Sequence, residues 1–529
     1  MNLAETTYQN KLSNKCSEAE RLAMMERYHY TAEVKEVIEK ENLLPLGVLN
    51  RLHTAYPESS GIMEHADFLF NGKNHYEGLK GFREIVAILE ANDIHIGHIQ
   101  ERELFINIYR FLATKHLLNA INWENFEKDS VFQLVFPQPG MIREEITHAY
   151  LTASSDEERE KIVSDYIISF TNPHDGKQKL NKPWFENEFG EVEFVEGSQH
   201  KYPQCQLIFD KTTQSCFAFC TYCFRHAQVR GDEDMFIQRE ISQVHDYVKR
   251  HKEITDILIT GGDAGWIPYE RLEAYITPLI EDPELGHVKT LRLGTRILTF
   301  FPEMMLTPEY DRMLKLFERL YDHGIQFVLM SHFSTPREVL NPSTIAAIRR
   351  LKNHKVTIKS QSPIMNHISL FKNEDGKVDV DRSAQNWIDL GNILAMLGVG
   401  FHSMYCARPT GEHHYFTAPL AEINQVFSKV YRSLSSINRP SRYITMTSSA
   451  GKVSLIGTAE VNGETVFALK FNEGRNMEWL DRVYLAKYDD QENTIDKLKP
   501  YDTDKHFYED ELISIENALH EKLEKRLKQ

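Results

Sequence analysis

The 529-residue sequence contains only six cysteines, at positions 16, 205, 216, 220, 223 and 406. That scarcity excludes a disulfide framework of the kind that staples small secreted domains. No apolar run reaches 18 residues, which excludes a membrane-spanning helix. The start, MNLAETTYQNK, lacks both the apolar stretch of a secretory leader and a myristoylation glycine. Positive charge is in deficit: 61 Lys and Arg stand against 77 Asp and Glu, a net charge of −16. A nucleic-acid or anionic-membrane surface needs clustered positive charge, so neither partner is expected, although a small basic pocket is still allowed. There is no repeat of fixed period and no low-complexity tract. What is present, 41% hydrophobic and 26% charged residues, is the composition of an ordinary globular chain. At about 150 residues per domain two to four domains are expected, and a chain this long buries a core without staples. The expected location is the cytoplasm.

Three stretches of different rhythm divide the chain at 1–199, 200–455 and 456–529. The first reads mainly as helix. Residues 81–90 and 103–118 carry apolar side chains at three- and four-residue spacing, a Pro-bearing break falls at 136–140, and an acidic helical stretch spans 143–169. The polar, Pro-marked segment 171–185 reads as a loop or a domain boundary. In the second stretch, short apolar runs at 205–210, 256–260, 290–295, 326–331, 356–360 and 401–405 alternate with helical patterns such as 269–281 and 383–398. Strand and helix alternating at this spacing predict parallel βα units, an α/β fold, and strands buried on both faces. Six units suit a partial (β/α)6 barrel, whose chemistry sits on the loops after the strand C-termini. In the third stretch, Asn462-Gly463 between two apolar runs predicts a hairpin, and a charged peripheral helix follows from 508.

Half of the cysteines fall within eight residues, as Cys216, Cys220 and Cys223, in the loop after the first of these strands. Three thiolates at this spacing hold three irons of a [4Fe–4S] cluster and leave the fourth open to a chelating ligand. The alternative from the residues alone is a zinc site completed by His226. The spacing resembles the signature of the radical S-adenosylmethionine superfamily. There a Gly-Gly-acid stretch after the second strand contacts the amino group of the methionine moiety, and Gly261, Gly262 and Asp263 stand at that place.

The motifs CFAFCTYCFRH, LITGGDAGW, LRLGTRI, SHFSTPREV, SQSPI, YCARPTGEHHYFTAPL and SSAGK follow one another over about 200–455. Together they resemble the lysine 2,3-aminomutase family, which uses S-adenosylmethionine and pyridoxal phosphate. The resemblance implies an isomerase that moves the α-amino group of an amino acid to the β-carbon, served by a small electron donor such as flavodoxin or ferredoxin, and it is compatible with a homo-oligomer. It implies cluster ligation by Cys216, Cys220 and Cys223, and a grip on the substrate carboxylate by Arg225. His332 and Gln361 match residues near the S-adenosylmethionine, and Tyr405 matches a tyrosine beside the pyridoxal phosphate. Lys452, at the end of a thinned glycine run, matches the lysine that carries that cofactor, and a buried lysine can lose its charge to attack an aldehyde. Lys201 falls on a phosphate-binding arginine, whereas Cys205 replaces a second one.

The sequence departs from the family where lysine aminomutases hold the side-chain ammonium with two aspartates. Arg408 and Thr445 fall on those positions and invert the charge preference. The implied substrate is therefore not lysine and has an anionic or neutral side chain, as glutamate does. Two other functions fit parts of the pattern. One is a radical S-adenosylmethionine enzyme of other chemistry with Lys452 structural; the other is a zinc-stabilised binding module.

Overall fold

A computed structural model describes residues 15–64, 67–169, 178–230, 236–409, 411–480 and 482–528. The opening segment MNLAETTYQNK and residues 171–177 of the polar segment lie outside them. The helix expected at 81–90 is present as Gly78–Glu90 and buries Phe82, Ile85 and Leu89. The acidic stretch forms two helices, Glu144–Thr152 and Asp156–Ser169.

The single helix expected over 103–118 is not formed. Ile99–Ile108 is helical, Leu112–Thr114 turns into a strand antiparallel to His75–Glu77, and Lys115–Ala120 restarts the helix. The apolar spacing survives, since Leu112, Ala113, Leu117 and Leu118 are all buried. The backbone, however, finds partners outside the segment. Leu112 O accepts a bond from Phe219 N at 2.8 Å, and Thr114 Oγ1 caps the restart by accepting from Leu117 N at 3.2 Å. Tertiary hydrogen bonds override helical periodicity here.

Eleven strands form one sheet in sequential order: β1 (Ser198–Tyr202), β2 (Cys205–Phe209), β3 (Asp256–Thr260), β4 (Thr290–Thr295), β5 (Gln326–Ser331), β6 (Thr357–Ile364), β7 (Gly400–Cys406), β8 (Ile444–Thr447), β9 (Gly451–Val461), β10 (Glu464–Gly474) and β11 (Val483–Lys487). From β2 to β7 every neighbouring pair is parallel, whereas β1 and the strands after β8 pair antiparallel. The crossovers carry α1 (Ile241–Arg250), α2 (Tyr269–Glu281), α3 (Asp311–Asp322), α4 (Pro342–Asn353) and α5 (Val380–Met396), and α6 (Leu420–Ser433) links β7 to β8. The α/β expectation holds.

Burial on both faces, as expected, holds along β5, where residues 327–331 are all buried, but not along every strand. Along β6 half-buried and buried residues alternate, and β4 does the same. Buried members such as Leu291, Ile358 and Ile364 belong to the hydrophobic core, while Arg292 and Gln361 face an interior cavity. A polar cavity thus imposes the period-two pattern that solvent imposes elsewhere.

Arg350 on α4 fastens the N-terminal region to this sheet. The side chain is almost fully enclosed, and its guanidinium donates to Glu41 Oε1 at 2.9 Å, to the carbonyls of Met305 and Thr307 at 2.8 Å each, and to Asp311. Every buried donor finds an acceptor, the condition under which a buried charge is tolerated. The hairpin turns at Asn462 and Gly463, both at positive φ, as a type I′ turn requires. The charged helix α7 (Glu509–Leu527) is mostly exposed but anchored, since Trp479 Nε1 donates to Glu511 Oε2 at 2.7 Å. Among the described residues no helix is long and apolar enough to cross a membrane.

Candidate active site

The C-terminal ends of the parallel strands converge on a cavity of about 330 Å³. Cys216, Cys220 and Cys223 line it from the loop after β2. Gly262 and Asp263 line it after β3, His332 after β5, and Gln361 from β6. Tyr405 and Arg408 come from the end of β7, Lys452 from the start of β9, and Lys201 from β1. Three of the candidate site residues singled out from the sequence, Gly261, Thr445 and His226, are not on its surface. Gly261 contributes indirectly, its carbonyl accepting from Arg225 Nη1 at 3.0 Å. Thr445 is buried on β8, in register with Tyr405 on one side and Ser454 on the other, and is held within the sheet.

The cysteine loop is shaped from outside. Phe219 N donates to Leu112 O, Thr221 N donates to Leu134 O at 2.9 Å, and Thr221 Oγ1 donates to Gln133 O at 2.8 Å. A strand and a helix of the N-terminal region therefore position the segment between Cys216 and Cys223. Burial raises all three thiols, Cys223 to about 12, with the neighbouring cysteines adding to the rise at Cys216 and Cys223. Thiols so placed become thiolates only beside a strong positive charge such as a metal. Among the described residues no three His, Cys, Asp or Glu side chains are already gathered as a metal-ligating set. The chemistry of the donors fits an iron–sulfur cluster. His226 lies buried beside Tyr109, at a centroid distance of 5.5 Å, and does not line the cavity.

Gly262 permits a close approach. A Cβ there would meet the carbonyl oxygens of Gln214 at 2.6 Å and Ser215 at 2.8 Å, so the turn after β3 presses on the cysteine loop itself. The Asp263 carboxylate is engaged locally, accepting from Arg296 N at 2.9 Å, Gly265 N at 2.8 Å and the Thr295 hydroxyl. Burial still raises it to about 6. His332 is driven down to about 3, by burial and then by Arg296 and Arg225, so its ring is neutral. Tyr405 Oη donates to Gln361 Oε1 at 3.2 Å.

The cavity is cationic although the chain is acidic. Arg225 donates to the Thr260 hydroxyl and the Gly261 carbonyl, and Arg408 lies over the Phe224 ring at 4.9 Å. Neither has an acidic partner among the described residues. Burial, followed by Arg408, lowers Arg225 to about 10. Arg292, by contrast, is neutralised by Asp256 at 2.5 Å and also donates to Cys205 Sγ at 3.0 Å.

Lys452 pairs with Glu473 across β9 and β10, with 2.6 Å between Nζ and Oε2. The expectation of a lysine neutralised by burial needs correction. Burial does favour the neutral amine, but Tyr405, Glu473 and Tyr202 outweigh it and hold the ammonium charged. The small residues before Lys452 also have another cause. A Cβ on Gly451 would lie 2.1 Å from the Glu473 carbonyl oxygen, so glycine is required by strand packing. Gly451→Ala is therefore expected to displace the Lys452–Glu473 pair and to cost about 1–3 kcal/mol by overpacking. A thermal melt that matches wild type would contradict this.

Sequence reasoning missed Glu473 and Arg475, both of which line the cavity. A signal existed. Counting pairs back from Asn462-Gly463 sets Glu473 opposite Lys452, because the two register shifts along the hairpin cancel.

No family model matches the chain. A putative L-lysine 2,3-aminomutase of Aquifex aeolicus is 27% identical over 305 residues, covering 56% of this chain and 76% of that protein. The glutamate 2,3-aminomutase of Clostridioides difficile is 32% identical over 170 residues, covering 32% of this chain and 37% of its own length. The L-lysine 2,3-aminomutase of Clostridium subterminale is 30% identical over 175 residues, covering 33% and 39%.

Proposed function

The chain belongs to the lysine 2,3-aminomutase family, and we propose that it is a radical S-adenosylmethionine enzyme that moves the α-amino group of a dicarboxylic amino acid, glutamate, to the β-carbon. The observation that carries this reading is a single cavity that holds the Cys216–Cys223 loop and Lys452, with Arg225 and Arg408 facing it unneutralised. In this reading β2 to β7 with their helices are the partial barrel that carries the chemistry.

A [4Fe–4S] cluster with S-adenosylmethionine supplies, when bound, a hydrogen-abstracting radical, and pyridoxal phosphate supplies a conjugated carrier for the migrating nitrogen. Cys216, Cys220 and Cys223 would hold the cluster, and Lys452 would hold the pyridoxal phosphate. Arg225 grips the α-carboxylate in a planar, bidentate way that lysine could not match. Its grip is pre-set, because Thr260 and Gly261 already orient one nitrogen. Phe219, Phe224, Val229, Phe300 and Met365 line the same space and exclude water from a reactive radical. The electron comes from a small donor such as flavodoxin or ferredoxin, and the work is done in the cytoplasm.

Two guanidiniums in one enclosed space are relieved by a ligand with two negative charges. Glutamate meets that condition, with Arg225 at one end and Arg408 at the other. Lysine would set its ammonium against Arg408 without a counter-charge, at a cost of about 3–5 kcal/mol, or several hundredfold in binding. Thr445, held within the sheet, leaves the reading of the side chain to Arg408. The test is anaerobic turnover of glutamate, lysine, glutamine and arginine by the reconstituted enzyme and by Arg408→Asp. Wild type should favour glutamate, and the reversal should move preference towards lysine or arginine. Turnover of lysine by wild type, or an unchanged order in the variant, rules the reading out.

A further inference from the structure

One group of cations in the cavity has no place in the substrate reading. Lys201 Nζ donates to the carbonyl of Ser448, and Arg475 Nε donates to the next carbonyl, that of Ser449, at 3.0 Å. Burial, and after it the charge of Arg475, pushes the Lys201 amine well below the usual lysine range, so the two groups lie close enough for their charges to oppose each other. Like charges this close are unfavourable unless an anion is shared between them. Arg475 is held on two further sides. Its amide donates to Ala450 O at 3.1 Å, and Nη2 donates to Asn181 Oδ1 at 2.7 Å. Nη1 makes no hydrogen bond to any described residue.

The carboxylates whose charges bear on these two cations, Asp496 and Glu516, do not line the cavity. A third donor faces the same place. Tyr202 is about nine-tenths buried, its hydroxyl has no hydrogen-bond partner, and its ring lies 5.5 Å from Lys201 Nζ and 5.3 Å from Lys452 Nζ. These groups come from β1, from the turn before β9 and from the residue after β10, which meet because the sheet curls until β10 touches β1.

We propose that Arg475 and Lys201, seated on the Ser449 and Ser448 carbonyls, form the site that takes the phosphate of pyridoxal phosphate, with the Tyr202 hydroxyl as a further donor. The inference rests on the function proposed above and deepens it. Arg475, brought in by the hairpin, supplies the second cation where Cys205 leaves none. A planar guanidinium with a free nitrogen suits two phosphate oxygens, and Lys201 adds a point charge.

The test compares binding of pyridoxal phosphate and of pyridoxal, which lacks the phosphate. Visible absorbance and borohydride trapping at Lys452 report the binding, and no turnover is needed. Wild type should prefer the phosphorylated aldehyde strongly. Arg475→Gln and Lys201→Gln should each weaken its binding roughly ten- to a hundredfold, the effect of losing a hydrogen bond to a charged group, and leave pyridoxal unchanged. Arg475→Lys should recover part of the loss. If Arg475→Gln weakens both aldehydes equally, the residue merely supports the loop and the proposal falls. Unchanged binding of pyridoxal phosphate in Arg475→Gln also overturns it, and leaves the enzyme reading standing. Should wild type form no adduct at Lys452 with either aldehyde, the enzyme reading fails and this site falls with it. Matching thermal melts separate these outcomes from misfolding, and Lys201→Gln with Arg475→Lys carries the test if Arg475→Gln does not fold.

Discussion

Cys216→Ala, Cys220→Ala and Cys223→Ala are each expected to strip the anaerobically prepared protein of its iron and sulfide and to abolish reductive cleavage of S-adenosylmethionine. Three thiolates are the minimum protein ligation for a cluster with one open iron, so losing one removes the site instead of weakening it. The environment sharpens this expectation. Burial raises all three thiols, so none persists as a thiolate on its own. Metal affinity and thiol ionisation are therefore coupled, and partial occupancy by two cysteines is disfavoured. Cys16→Ala and Cys406→Ala should leave iron content and cleavage unchanged. Cys16 is buried against the N-terminal helices, its amide bonded to Asn50. Cys406 lines the cavity, but it stands on β7 and not on the loop, and burial raises it to about 12. Iron and sulfide analysis, the visible spectrum and formation of 5′-deoxyadenosine provide the readouts. A triad variant that keeps full iron and cleavage disproves the assignment. Zinc in place of iron, lost in a His226→Ala variant, would favour the zinc module instead.

Lys452→Ala is expected to leave the iron–sulfur spectrum intact and to eliminate the borohydride-trappable pyridoxal adduct, because it removes the amine assigned to the covalent attachment. Lys201, the other lysine lining the cavity, is held on the Ser448 carbonyl. A trapped peptide that contains Lys201 or any other lysine refutes the role. The ion pair with Glu473 adds a pH dependence. Attack on an aldehyde needs the neutral amine, whereas Glu473 and the tyrosines stabilise the ammonium against burial. A raised folded-state pKa means that the proton is kept until high pH, so adduct formation in wild type should accelerate as pH rises. Glu473→Gln removes the ion-pair partner and leaves burial to act, which moves the rise to lower pH. One unit of pKa is about 1.4 kcal/mol, tenfold in neutral amine, so the rate near neutrality should increase measurably. An identical profile in Glu473→Gln would show that the carboxylate does not control the proton on Nζ.

The parts of this protein readable in the sequence are those encoded locally. β3, β4 and β5 occupy the residues expected of them, and so do α2 and the turn at Asn462-Gly463. Each depends on short-range chemistry: apolar runs bounded by turn residues, a three-to-four-residue period, or an Asn-Gly pair that accepts positive φ. The cysteine loop was legible for the same reason, since its three sulfurs lie within eight consecutive residues. Where local pattern failed, at 103–118, Leu112 had surrendered its carbonyl to Phe219, more than a hundred residues away.

Tertiary structure alone decided the electrostatics of the site. A net charge of −16 says nothing of a cavity where Arg225, Arg408, Lys201 and Arg475 gather, because the sum over a surface does not report where the minority sign collects. Lys201 and Ser448 are 247 residues apart and meet only when the sheet curls β10 back against β1. Lys452 was identifiable as a position, but its charge was not. Burial pulls its proton one way while Tyr405, Glu473 and Tyr202 together pull it the other, and Glu473 lies 2.6 Å away, at a place set by the hairpin register and by the bare Cα of Gly451.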